Sequence, residues 1–241
     1  GDISLVLWMA RWDDDPMVTV ADLRAAPSLV HASDEGLARL AAQSAFRRFD
    51  RGEFLFRASE PVSRIFLIGS GRVAAVVTSR VGTMLMFHVA GERELAGNVS
   101  VFEPGHLASA KALSRVEAIA IPAKDYLELL GAESAVALDL ARELAGIVRV
   151  LNESLADLVF LDLERRLARS LLEAPPGGDL VHLIESQSDL GARLGATRQS
   201  VNQALGRLVR RGLVRIDGPR VVRILDREAI GAFIDGLDEM Y

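Results

Sequence analysis

The chain contains no cysteine. That absence excludes disulfides, cysteine-based zinc sites, iron–sulfur clusters and thiol catalysis. No uncharged apolar run approaches the ~18 residues that a membrane helix needs. The opening residues, Gly1-Asp2-Ile3, lack the basic region of a secretory signal. Together these absences predict a soluble, cytoplasmic protein with no membrane partner. Histidine is scarce as well: His31, His88, His106 and His182 are scattered, without metal-ligand spacing or an obvious pairing. Neither a metal centre nor an axially ligated haem is expected, and with no catalytic constellation the chain does not read as an enzyme. His88 falls in a strand-like run and reads as a core residue.

What is present is globular. Half of the 241 residues are hydrophobic and a quarter are charged, enough for a sizeable core in one large domain or two ordinary ones. Net charge is −5, but it is unevenly spread: residues 186–225 carry eight arginines against Asp189 and Asp217. A strongly basic stretch inside an acidic chain is the electrostatic footprint of a nucleic-acid contact.

Along the chain, residues 1–30 are set apart as an N-terminal arm. Ser33 reads as an N-cap, with Leu37, Leu40 and Ala41 at helical spacing behind it. From Phe49 to Pro122, short apolar runs alternate with turn-like glycines. Phe54-Leu55-Phe56, Ile65 to Ile68, Val73 to Val77, Met84 to Val89 and Val116 to Ile121 read as strands of a jelly roll or barrel. From Glu133 to Phe160 the leucines and Ile147 step by three or four, which predicts one long helix. Its apolar band is wide enough for two burying surfaces, one of them a second copy of the helix. Asp162 caps a further helix, Leu163 to Leu172, and a last helix follows Asp226 with Ile230, Phe233, Ile234 and Leu237 on one face.

Residues 187–206 have helix-turn-helix spacing. Leu190, Leu194, Val201 and Leu205 are the apolar positions that two crossed helices bury. Gly191 is small where they cross, and Gly195 sits at the turn, where positive φ is needed. Thr197 is an N-cap for the second helix. Arg198, Gln199, Asn202 and Gln203 then share the outward face, and these are side-chain types that reach base edges. Val214-Arg215-Ile216 and Arg220 to Ile224 form a hairpin with a tight turn at Asp217-Gly218, completing a winged helix.

On Gly52-Glu53-Phe54-Leu55-Phe56, Ile65 to Val73, the hinge Phe160-Leu161-Asp162 and Leu194 to Asn202, the chain resembles the cAMP receptor protein/FNR superfamily of bacterial transcription factors. The resemblance spans Ala26 to Ile224. It implies an α+β architecture: a β-roll, cyclic-nucleotide-binding-like domain (31–132), a dimerisation helix (133–160) and a winged helix-turn-helix domain (161–241). It further implies a homodimer on a pseudo-palindromic double-stranded DNA site, with RNA polymerase as a further candidate partner. It carries Arg198 to a guanine-reading role and Ser188 and Ser200 to backbone contacts; Arg220 in the wing is a further contact. With Thr197, Gln199, Asn202 and Gln203 these make the candidate DNA interface.

The departures lie in the effector pocket. The family's ribose-holding Glu is replaced by Asn98, after Gly97, and its phosphate-pairing Arg by Ala108, before Ser109. On the long helix, Ile147 stands at the basic position, and Leu151 and Asn152 at the base-contacting pair. A buried phosphate without a charged partner is expensive. The expectation is weak cAMP binding or none, with cofactor identity open; Lys111, two residues beyond Ser109 on the same strand face, is the alternative anchor for a cAMP-responsive regulator. Other readings are an architectural DNA binder without sequence preference, a cyclic-nucleotide sink, and an enzyme with an appended DNA-binding module.

Overall fold

The computed structural model describes residues 17–79, 84–174, 179–183 and 186–236. These form two units. One comprises the chain up to Val77 together with His88–Arg149; the other comprises Thr78–Phe87 and the chain from Val150 onward.

The first unit is built on two four-stranded sheets. The strands are β1 (Ala45–Phe49), β2 (Phe54–Phe56), β3 (Arg64–Ser70), β4 (Val73–Thr78), β5 (Met84–Ala90), β6 (Leu95–Ala96), β7 (Ser109–Ala112) and β8 (Val116–Pro122), of which Thr78 and Met84–Phe87 are counted with the second unit. One sheet has the order β1-β8-β3-β6, the other β2-β7-β4-β5. The expected strands are present. β1, β6 and β7 are additional; they are short or rich in arginine and alanine, and lack a strong apolar alternation.

Strands β3 and β8 read as unbroken apolar runs because both of their faces are buried. Ile65, Leu67, Ile119 and Ile121 face a helical layer. Phe66, Ile68, Ala118 and Ala120 face Val73, Ala110 and Ala112 of the second sheet. The alanines leave room that aromatic rings fill: Phe66 lies 5.6 Å edge-on from Phe49 and 6.1 Å in a stack from Phe56. Each large side chain fully buried here stabilises the fold by about 1.5–3 kcal/mol.

The helical layer begins earlier than the arm boundary at residue 30. Helix α1 (Val20–Arg24) is closed by a capping box between Thr19 and Asp22. A 3₁₀ turn follows at Pro27–Leu29. Leu23, Ala26 and Leu29 are buried in the main core with Leu37 and Leu40 of α2 (Asp34–Ala42), which Ser33 caps as expected. Residues 17–30 are thus part of the body of the first unit, because three well-spaced apolar side chains suffice to dock a single turn. The run Ile3 to Ala10 lies outside the described residues. Helix α3 (Ala123–Ala132) was not foreseen; it leaves β8 directly and buries Tyr126, Leu129 and Leu130.

The long helix α4 (Ser134–Phe160) runs through both units. Val136 and Leu140 are buried in the first unit's core, with Leu144 packed against it. Beyond it the apolar stripe is left open, from 39% exposed at Leu151 to 60% at Leu155 and 81% at Phe160.

In the second unit, Asp162 caps α5 (Leu163–Leu172). Strand β9 (Leu180–His182), α6 (Gln187–Arg193), α7 (Arg198–Arg210), β10 (Val214–Gly218), β11 (Val221–Ile224) and α8 (Arg227–Ile234) follow. The wing is three-stranded, β10-β11-β9. Its turn falls at Pro219-Arg220 rather than Asp217-Gly218, because a register shift between Ile216 and Gly218 carries β10 further. Helix α8 buries Ile230, Phe233 and Ile234 in this unit's core; Leu237 lies outside the described residues.

Candidate nucleic-acid interface and effector pocket

Helix α6 starts on a reciprocal cap. Ser186 Oγ accepts from the Asp189 amide at 3.1 Å, and the Ser186 amide donates to the Asp189 carboxylate at 3.4 Å. The turn into α7 needs Gly195, at φ +64°. It also needs Gly191: a Cβ there would stand 2.8 Å from the Ala196 carbonyl oxygen, the same oxygen-bearing segment whose amide donates to Gly191 O at 2.8 Å. Thr197 Oγ1 then accepts from the Ser200 amide at 3.1 Å, fixing the start of α7.

With those constraints met, Val201, Ala204, Leu205 and Leu208 turn inward. Arg198, Gln199, Asn202 and Gln203 are all exposed on the opposite side, as expected. Thr197 and Ser200, placed among the DNA-facing residues, are joined to each other at 2.9 Å in the cap. Ser188 is exposed in the first turn of α6, and Arg220 is exposed in the wing turn.

One organising residue escaped the sequence reading. Gln187 Oε1 accepts from Arg198 Nε at 3.2 Å and from Asn202 Nδ2 at 3.3 Å. It holds two of the four outward side chains to a common point. Its signal, a polar residue just after an N-cap, is too common to single out.

The local excess of arginine is partly consumed within the unit. Arg207 and Arg211 both reach Glu164 on α5, Arg211 at 3.7 Å. Arg215 and Arg223 lie opposite each other across the wing and share Asp217 at 2.7 Å each. Their charges hold the Asp217 carboxyl below the usual carboxylate range, chiefly through the Arg215 hydrogen bond.

In the first unit, Gly97 sits at φ +91°, where L side chains are strained, and a Cβ would press on its neighbours, 3.0 Å from the Phe56 ring and 3.2 Å from His106. The His106 ring stacks on Phe56 at 3.6 Å and is 4% exposed. Burial depresses its pKa, against the pull of Glu60. Asn98 is 2% exposed and donates to Glu143 Oε1 of α4 at 2.9 Å. Burial pushes the Glu143 carboxyl upward, and the same burial, with Glu143 beside it, raises the Tyr126 phenol.

Ala108 is buried and brings no charge. Ser109 Oγ accepts from the Ala58 amide at 2.9 Å. Lys111 is half-buried on β7, on the same strand face as Ser109, opposite Phe54 and Ala74. Asn152 is exposed on the part of α4 that belongs to the second unit. His88 is not a core residue: it is half-buried and borders a cavity, because its strand is at the edge of its sheet. Among the described residues no three His, Asp or Glu side chains converge on a metal position, and no helix is long and apolar enough to cross a membrane.

Residues 46–133 match the cyclic nucleotide-binding domain family, and residues 165–233 match the Crp-like helix-turn-helix domain family. The CRP-like cAMP-activated global transcriptional regulator of Mycobacterium tuberculosis is 30% identical over 191 residues, covering 76% of this chain and 84% of that protein. The chain belongs to the CRP/FNR family of transcription regulators. The cyclic AMP receptor protein of Thermus thermophilus is also 30% identical, over 79% of this chain and 88% of its own. The solved structure of FixK2 from Bradyrhizobium japonicum shares the fold, with a TM-score of 0.68 at 21% identity, covering 78% of this chain and 96% of that one. This CRP/FNR member is accordingly a DNA-binding transcription regulator carrying a cyclic nucleotide-binding domain; its relatives are regulators and not enzymes.

Proposed function

We propose that this protein acts as a homodimer on a pseudo-palindromic operator, reading bases with Arg198, Gln199, Asn202 and Gln203, and that it binds DNA without cAMP. The observation that carries the DNA reading is the outward cluster on α7, two of whose members are tethered by Gln187. Thr197 and Ser200 fix the start of α7, and with exposed Ser188 in the first turn of α6 they approach the phosphates, with Arg220 on the wing. The dimer reading rests on the open apolar stripe of α4, which a second copy of the helix would cover.

The effector reading rests on Ala108 and on Asn98. The first gives a cyclic phosphate no partner, and the second is already engaged by Glu143. One observation favours a second reading: the Mycobacterium tuberculosis relative is named as cAMP-activated. In that reading Lys111, half-buried on the Ser109 face, anchors the phosphate.

In-vitro selection of binding sites from random DNA, with and without cAMP, tests the proposal. A two-fold symmetric consensus recovered equally in both arms is the expected result. Enrichment only with cAMP would favour the Lys111 anchor, and no enrichment would leave an architectural binder.

A further inference from the structure

Gln187 is the first residue of α6, and two outward side chains of α7 converge on it. Its Oε1 accepts from Arg198 Nε at 3.2 Å and from Asn202 Nδ2 at 3.3 Å. A carbonyl oxygen has two lone pairs, so these two bonds fill it. Gln187 is half-buried, whereas Arg198 and Asn202 are exposed. The more confined side chain thus restricts the rotamers of the two freer ones. The cap of α6 does not depend on it, because Ser186 and Asp189 make that cap between them.

The donors left over have a definite use. Gln187 takes the Nε–H of Arg198, and the hydrogens on Nη1 and Nη2 remain outside that contact. Those two nitrogens form the end-on fork that guanine O6 and N7 accept, while a side-on fork through Nε is closed off. Asn202 carries two Nδ2 hydrogens, and one goes to Gln187. The other, together with Oδ1, is the pair that adenine N7 and its N6 amino group require. The tether therefore consumes, on each side chain, the one donor that base reading does not need.

Spacing limits which bases can be met. Two nitrogens at 3.2 Å and 3.3 Å from one oxygen lie no further apart than about two stacked base pairs, at roughly 3.4 Å per pair. Arg198 and Asn202 also stand about one helical turn apart on the same face of α7. Resting on the reading of α7 as the base-contacting helix, we infer that Gln187 is a positioning residue that couples Arg198 and Asn202 into one reading unit. This unit selects half-sites in which a guanine and an adenine lie at adjacent pairs or one pair apart. Gln199 and Gln203 read independently of it.

Anisotropy titrations of the full chain over single-base variants of a selected operator test this. Arg198→Ala and Asn202→Ala first assign the base that each side chain reads. Gln187→Met keeps the length of the side chain and removes the acceptor. It should lower discrimination at the guanine and the adenine together, by about two- to tenfold, with other positions and the melting temperature unchanged. Gln187→Glu restores an oxygen acceptor and adds a charge. It should weaken binding to all sequences by a common factor, through repulsion from phosphates, yet keep the discrimination at both bases. A common factor at every position with Gln187→Met, or no change at all, overturns the coupling while leaving α7 as the reader. So does an assignment that puts the two bases further apart than one intervening pair. Discrimination that survives both Arg198→Ala and Asn202→Ala overturns the α7 reading itself, and the coupling with it.

Discussion

The Asn98 side chain donates to Glu143 across 2.9 Å, joining the loop after Gly97 to the long helix α4. The amide is buried and the carboxylate is half-buried, so the link is made where water competes little. Burial, reinforced by the like charge of Glu94, raises the Glu143 pKa above its ordinary value. A group whose folded pKa is raised contributes its stability below the unfolded pKa, and that contribution is lost as pH rises through the folded pKa. Glu143→Gln keeps an acceptor for Asn98 and removes the charge. The variant should therefore melt higher than the parent at neutral pH, and the difference should shrink as pH approaches the ordinary carboxylate value. Thermal unfolding across pH checks this, and a variant that melts lower at every pH would sink it.

His106 predicts the opposite slope. Its pKa is depressed, mainly by burial against Phe56, with Glu60 opposing. The unfolded chain then binds a proton that the folded loop resists, so stability is lost as pH falls from the imidazole's ordinary value through the depressed one. His106→Phe keeps the aromatic stack without the titrating nitrogen. It should flatten the acid limb of the unfolding profile between neutrality and mildly acidic pH while leaving the alkaline limb unchanged.

Much of the second unit was legible because its constraints are local. Gly191, Gly195 and Thr197 occupy fixed offsets that the turn and cap demand, and Val201 and Leu205 follow from the helical period. The wing turn was misplaced by two residues because a bulge leaves no mark in an apolar–polar pattern. Helix α3 and strand β7 were illegible for a different reason. Ala110 and Ala112 are buried against the opposing sheet, yet alanine carries no strand signal of its own. In the pocket, the substitutions at Asn98 and Ala108 could be read from the resemblance. That Glu143 would reach Asn98 could not, since only the fold brings positions 45 residues apart together.

Two glycines should respond oppositely to alanine. At Gly191 a Cβ meets backbone oxygen at 2.8 Å, so α6 and α7 must separate. Overpacking of this kind costs about 1–3 kcal/mol. Gly131, within α3, has nothing near its added Cβ. Gly131→Ala should stabilise by about 0.5–1 kcal/mol through helix propensity. Urea titrations of both variants test the pair, and Gly191→Ala should in addition lose operator affinity.

The dimer prediction uses residues that the core leaves free. Leu144 packs on the first unit, so changing it would unsettle the fold itself. Leu151 and Leu155 are exposed at 39% and 60%. Replacing both with Lys should place charges in any helix–helix seam while sparing the rest of the chain. Sedimentation should then report a monomer with an unchanged circular-dichroism spectrum. A double variant that sediments as the parent does would exclude this stripe as the interface.

Base reading should separate Arg198 from Arg220. Arg198 opens α7 as an exposed residue, and its Nε donates to Gln187, a contact that does not use the outer guanidinium nitrogens. That geometry suits a fork onto guanine O6 and N7 in the major groove. Arg198→Ala should cost roughly 1–3 kcal/mol and relax preference at one base pair of each half-site. Gln187→Ala should weaken the same preference less, since it frees Arg198 and Asn202 without removing them. Arg220 lies in the wing turn, where phosphate is the nearer partner. Arg220→Ala should weaken binding to all sequences alike and lower the salt slope by about one per subunit. Titrations over a panel of single-base operator variants, at several salt concentrations, distinguish these effects. If Arg198→Ala lowers every affinity by one common factor, Arg198 contacts only phosphate. Gln199 and Gln203 would then carry the reading.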